Sequence, residues 1–128
     1  MNIKITISIG ELVDKITILE LKEKLIPDEI KKVEVKKELK QLQEALKQVL
    51  GENKELNSLK LKLGKVNKTL WKIEDEIRIC EKEKSFDEKF IKLARSVYVT
   101  NDQRFNIKNE INKMFSSEVV EVKSYEDY

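Results

Sequence analysis

The chain contains no histidine, one cysteine, one proline, three glycines and one tryptophan among its 128 residues. Without histidine there is no imidazole to serve as general base or as transition-metal ligand, so a His-bearing triad and a His-ligated zinc site are both excluded. A single cysteine, Cys80, cannot close an intrachain disulfide, and an oxidising compartment is not implied. Isolated glycines at Gly10, Gly51 and Gly64 build no phosphate cradle. No apolar run approaches the length of a membrane span. The opening MNIKITISIG alternates and lacks a leader-peptide core. A cytoplasmic protein without a membrane partner is the expectation. Arginine is scarce too: Arg78, Arg95 and Arg104 stand against a background of lysine.

Charge is what the chain has in abundance, at 39% Asp, Glu, Lys and Arg, but it nearly cancels: 26 basic and 24 acidic residues leave +2. A dedicated nucleic-acid binder would show a basic excess or stripe, so no nucleic-acid partner is expected. Lysines interleave with glutamates, as in Lys31-Lys32-Val33-Glu34, which describes solvated helix faces. No acidic loop has the spacing of a metal site, and neither a metal nor a cofactor is expected.

Hydrophobic spacing predicts a mainly α protein. The Ser8-Ile9-Gly10-Glu11 capping pattern should open a first helix over 9–25, stopped by Pro27. Asp28 should cap a second helix, with apolar positions at Val35, Leu39, Leu42, Leu46 and Val49 and Gly51 as its stop. A third helix over 54–84 carries Leu56, Leu59, Leu63, Val66, Leu70, Ile73, Ile77 and Cys80 in unbroken three-four alternation, the pattern of a coiled-coil seam. The short connection between helices two and three predicts a long antiparallel hairpin, packed with two further helices. Its continuous seam suggests a homodimer. Ser85-Phe86-Asp87-Glu88 should start a fourth helix that runs to about Phe115. Ile3, Ile5, Ile7 and Ile9 alternate with polar residues, and 118–122 reads Glu-Val-Val-Glu-Val; these chain ends should pair as a short β-ribbon. With no linker or repeat, 1–128 reads as a single helical domain.

The fourth helix interrupts its apolar face between Val97 and Ile107. There Arg95, Tyr98, Asn101 and Arg104 recur every third residue, a slowly winding polar stripe. A guanidinium binds carboxylate or phosphate through two parallel hydrogen bonds, which lysine cannot do. Such a stripe could grip an anion; the favoured alternative is that its arginines pair with carboxylates on neighbouring helices and fix their register. The third helix adds Trp71, Glu74 and Arg78, with Asn67 on the same face, and Glu74 precedes Arg78 by four in the order that favours an ion pair. A lone tryptophan is more often core than ligand platform. The first helix offers Glu11, Asp14 and Lys15; Asp14 neighbours Val13 and Ile16 and could face an arginine.

Three segments are distinctive in combination: IGELVDKITILELK at 9–22, VNKTLWKIEDEIR at 66–78 and FDEKFIKLARSVYVTNDQRFNIKNEIN at 86–112, followed by KSY at 123–125. On these the chain resembles a family of small helical bacterial and phage proteins of unknown function, with members encoded near sugar-transfer genes. The resemblance implies a helical fold but brings no activity and no catalytic residue. Helical chorismate mutases hold a dicarboxylate with arginines that include one early in the first helix; here that helix has Asp14 and Lys15 but no arginine. Helical nucleotide pyrophosphohydrolases need a second acidic pair, which Glu74-Asp75-Glu76 lacks on the following helix. The expected function is a non-catalytic binding or assembly module with a protein partner or a second copy. The alternative is an enzyme or sensor that holds an anionic small molecule, such as a sugar phosphate or nucleotide, between helices one, three and four.

Overall fold

The computed structural model describes all residues, Met1–Tyr128, and consists of four helices: α1 (Ile9–Leu25), α2 (Glu29–Leu50), α3 (Lys54–Glu83) and α4 (Glu88–Met114). Local chemistry sets their ends. The Asp28 side chain accepts from the Ile30 and Lys31 N–H groups to start α2, and Asn53 accepts from Leu56 N–H to start α3. Gly51 ends α2 at φ 63°, in the left-handed region that side-chain-bearing residues avoid. Lys84 takes the corresponding left-handed position after α3, and Ser85 N–H closes onto the Cys80 carbonyl. That turn consumes Ser85 and Phe86, so the cap of α4 is Asp87 and not the predicted Ser85; Asp87 accepts from the N–H groups of Lys89 and Phe90.

The pairing of these helices differs from the predicted hairpin. α2 lies along α1, α3 lies along α4, and α1 also packs on both α3 and α4, whereas α2 and α3 make no close backbone approach. The seam of α3 explains the difference. Leu56, Leu59 and Leu63 are buried, but in a cluster with Val13 of α1 and Ile111 of α4. Only the end of α2, Leu46 and Leu50, reaches that cluster. An apolar stripe records that a face is buried without recording which helix covers it. The first part of the seam, Leu56 to Leu63, is thus covered within one chain, while Val66, Leu70 and Ile77 remain half-buried. Cys80 is buried there as a free thiol.

A second cluster, Leu12, Ile16, Leu19 and Leu39, joins α1 to α2. α1 is thus the common element of both clusters, and seven of its residues are buried against one in α2.

The chain ends form no ribbon. Neither segment contains a strand, no backbone hydrogen bond joins them, and Ile3 and Ile5 are 81% and 72% exposed. The C-terminal segment lies instead along α4, held by side chains: Lys108 to Glu121 at 2.8 Å, Lys123 to Asp102 at 3.3 Å, and the Tyr128 hydroxyl to Asp102 at 2.6 Å. Anchored there, it leaves the first strand candidate without a partner.

Candidate functional site

The polar residues of highest burial converge where α1, α3 and α4 meet. Three first-turn N–H groups of α1, which have no partner inside the helix, are satisfied from three directions. Ile9 N–H donates to Ser117 Oγ at 3.4 Å, Gly10 N–H to Asn112 Oδ1 at 2.7 Å, and Glu11 N–H to Ser8 Oγ at 3.0 Å. Gly10 has to be glycine for this approach, since a Cβ there would sit 2.5 Å from the Lys108 carbonyl oxygen and 2.7 Å from Asn112 Oδ1. Asn112 is buried, and its Nδ2 finds no acceptor. Glu11 does not reach back to complete a capping box; its carboxylate meets Lys108 Nζ at 2.8 Å.

One turn further along α1 lies Asp14, the only buried carboxylate in the protein. Arg104 grips it in the two-point manner expected of a guanidinium. Nε donates to Oδ1 at 2.9 Å and Nη2 to Oδ2. Asn67 Nδ2, from α3, donates to the same Oδ1 at 2.9 Å and to Thr17 Oγ1 at 2.8 Å, while the Thr17 hydroxyl donates to the Asp14 carbonyl at 2.8 Å. Lys108 Nζ stands 4.0 Å from Oδ2 and meets Glu121 of the C-terminal segment at 2.8 Å. Three helices and the tail are therefore tied through one carboxylate and two cations.

Electrostatics follow from these contacts. The Asp14 hydrogen bonds, over the opposing cost of desolvation, hold the Arg104 guanidinium above its ordinary pKa. Burial pushes Lys108 down, but hydrogen bonds to Glu11 and Glu121 and the nearby Asp14 charge outweigh it and leave its pKa raised. Both groups carry full positive charge at neutral pH.

Two depressions flank this centre. A groove of about 450 Å³ lies between α1 and α3, walled by Ile18, Leu21 and Leu70 and lined by Asn67, Trp71, Glu74, Asp75, Arg78, Asn101 and Arg104. A cleft of about 810 Å³ separates α4 from the C-terminal segment and is lined by Tyr98, Asn101, Asp102, Arg104, Phe105 and Lys108 on one side and by residues 121–125 on the other.

The structure brings six of the sequence-predicted residues together: Asp14 and Arg104 in the buried pair, and Trp71, Glu74, Arg78 and Asn101 around the groove beside them. Trp71 lies outside the core, half-buried at the groove wall. Arg78 and Glu74 form the expected pair, at 3.4 Å and open to solvent. Tyr98 belongs to the α4 cleft, where its ring packs edge-on to Tyr128 with centroids 5.3 Å apart. Lys15 and Arg95 are exposed, make no ion pair and line neither depression; the stripe has wound out to solvent by Arg95.

Sequence reasoning missed Lys108, Asn112 and Thr17. Lys108 left a signal, since a lysine set between Ile107 and Ile111 on an apolar face needs a buried partner. Thr17 and Asn112 left none, because polar residues at helical spacing read equally well as solvated.

Groups of His, Cys, Asp and Glu placed to hold a metal ion are absent, and no helix is long and apolar enough to cross a membrane. No curated protein and no solved structure matches the chain. Its sequence does match a described family, over residues 3–128, which takes in α1, Asp14, the groove, Arg104 and the C-terminal segment alike. The chain belongs to DUF6165, a family of unknown function.

Proposed function

We propose that this protein is a non-catalytic binding or assembly module, one helical domain whose buried polar centre fixes the register of α1, α3 and α4. The observation that carries this reading is the saturation of Asp14: both its oxygens are held by Arg104 and Asn67. A carboxylate so held, at 0% exposure, does not meet a substrate, and the arginine that holds it is not free for an anion. Large apolar side chains left in solvent on α2, such as Ile30 at 82% and Val33 at 62%, support the assembly half of the reading. A homodimer through such a face would appear by light scattering as a mass that rises with concentration.

A second reading is favoured by one observation. Trp71, Glu74, Arg78, Asn101 and Arg104 line a single groove, which makes it a candidate surface for a small anionic ligand. Arg104→Ala separates the two. The register reading expects a lower urea midpoint and no ligand whose binding depends on Arg104. The ligand reading expects a thermal-shift screen of phosphorylated metabolites to find a compound that stabilises the wild type, since ligand in large excess over Kd raises stability by a few kcal/mol. Unchanged stability of Arg104→Ala together with loss of that compound would overturn the register reading.

A further inference from the structure

The groove that holds Trp71 does not end at Leu21. That residue is also a wall of a second depression of about 430 Å³ further toward the N-terminus of α3, between α1 and the stretch Asn57–Lys68. The two adjoin at Leu21 to form a trough along one face of α3, where Leu61, Lys65, Lys68, Trp71, Asp75 and Arg78 follow one another at three- and four-residue steps.

The ends of the trough differ in chemistry. The second depression is lined by Lys24, Lys60, Lys65 and Lys68 against a single carboxylate, Glu20. Glu20 is already engaged, with Lys60 Nζ at 2.9 Å. Lys24, Lys65 and Lys68 make no ion pair, and α3 carries no acid from Leu56 to Ile73, so no carboxylate of their own helix neighbours Lys65 and Lys68. Gly64 sits between them, with nothing within 4 Å of where its Cβ would be, so the absent side chain leaves open space between the lysines. At the other end stand the chain's only tryptophan, half-buried, and the amides of Asn67 and Asn101, with Glu74 and Asp75 alongside. Glu74 is paired there with Arg78 and Arg104 with Asp14, so this end carries no free cation for a phosphate, while its carboxylates accept hydrogen bonds from hydroxyl or amino groups. Lys65 and Trp71 are six residues apart, about 9 Å along the helix axis.

We propose that this trough binds a nucleoside polyphosphate, with the base against Trp71 and the phosphates on Lys65 and Lys68. An aromatic ring stacks on an indole whatever its substituents, whereas unpaired ammonium groups select a multiply charged anion, and their place at the end away from Trp71 fixes which way round it lies. This assignment rests on the reading of the groove as a ligand surface and adds the ligand class and its orientation.

Because Trp71 is the only tryptophan, intrinsic fluorescence of the full-length protein reads the site directly. ADP added without metal should change that emission saturably, with half-effect at or below roughly 1 mM. Adenosine and inorganic tripolyphosphate should each bind at least about tenfold more weakly. The double variant Lys65→Gln/Lys68→Gln alters only exposed side chains and should keep the wild-type urea midpoint while losing about tenfold or more in ADP affinity, as expected when charged hydrogen bonds are removed. Calorimetry with ADP checks that the optical signal is binding. Tripolyphosphate binding as tightly as ADP, an unchanged ADP affinity in the double variant, or no saturable ADP binding by either method would overturn the proposal. If ADP fails while another phosphorylated metabolite binds and shifts Trp71 emission, the groove remains a ligand surface and only the nucleotide assignment falls.

Discussion

Two aspartate–cation pairs hang on α4, two residues apart, and they do different work. Arg104 binds Asp14 where the carboxylate is 1% exposed and the arginine 29% exposed. Asp102 binds Lys123 at 3.3 Å with the pair 40% and 24% exposed, and Tyr128 shares the same carboxylate. Both join an aspartate to a cation; the surroundings of the two carboxylates differ. In the first pair water cannot take the place of the guanidinium at the buried carboxylate, so Asp14 depends on Arg104. In the second, water reaches the carboxylate, and the pair does little more than choose among positions of an already solvated tail. What separates a register device from a tether here is burial.

Removing the buried carboxylate tests that difference most directly. Asp14→Ala leaves Arg104 and Asn67 facing a cavity without their acceptor, and should destabilise the protein by about 3–5 kcal/mol, the range for orphaning one partner of a buried pair. Urea unfolding followed by circular dichroism measures it. Asp14→Leu combined with Arg104→Met should recover most of the loss, because an apolar pair of similar size leaves no unpaired charge. A double variant as unstable as the single one would mean that the pair itself, and not the orphaned charge, holds the three helices together.

The next effect tests how closely α1 is seated on α4. Gly10→Ala places a methyl 2.5 Å from a backbone oxygen of Lys108, which cannot swing away as a side chain would. Overpacking of this kind costs about 1–3 kcal/mol, and the shift it forces also lengthens the Gly10–Asn112 hydrogen bond. The lowered urea midpoint should be accompanied by faster amide exchange in the first turn of α1. Stability equal to wild type would show that α1 can move off α4 without disturbing the Asp14 centre.

These two sites were legible in the sequence to different degrees. Asp14 beside Val13 and Ile16, and Arg104 interrupting an apolar face, marked themselves as polar groups in apolar places, and their pairing followed as one of two alternatives. Gly10 gave no such sign, since a glycine in a helix first turn reads as neutral until the approaching backbone is seen. The ends of α1 and α2 were legible because caps are local: Ser8, Asp28 and Gly51 act within four residues of themselves. Helix partners were not. The stripe of α3 fits α2 as well as it fits α1 and α4, and the choice depends on how all four helices share α1. The β-ribbon failed for a related reason: alternation at 3–9 describes a strand that needs a partner, and the only candidate is held on α4 by Lys108, Asp102 and Tyr98.

The smallest effect belongs to the exposed pair, and it is one of pH. The Tyr128 hydrogen bond, against the cost of desolvation and aided by Lys123, holds Asp102 below its ordinary 3.8. In turn the Asp102 hydrogen bond, with burial and the carboxylate charge, raises the Tyr128 phenol above 10.0. The signs give a window. A depressed acid contributes to attachment of the tail above pH 3.8, and that contribution is lost as pH falls through its folded value. A raised phenol contributes below pH 10.0 and is lost as pH rises through its own folded value. Asp102→Asn should therefore leave the urea midpoint near neutral pH unchanged while bringing the Tyr128 phenol back toward its ordinary titration, read as the ultraviolet absorbance difference from the matching Tyr128→Phe variant. A lower midpoint in Asp102→Asn would mean that the tail, through Glu121 and Lys108, supports the buried centre, and the contrast between the two pairs would be one of degree.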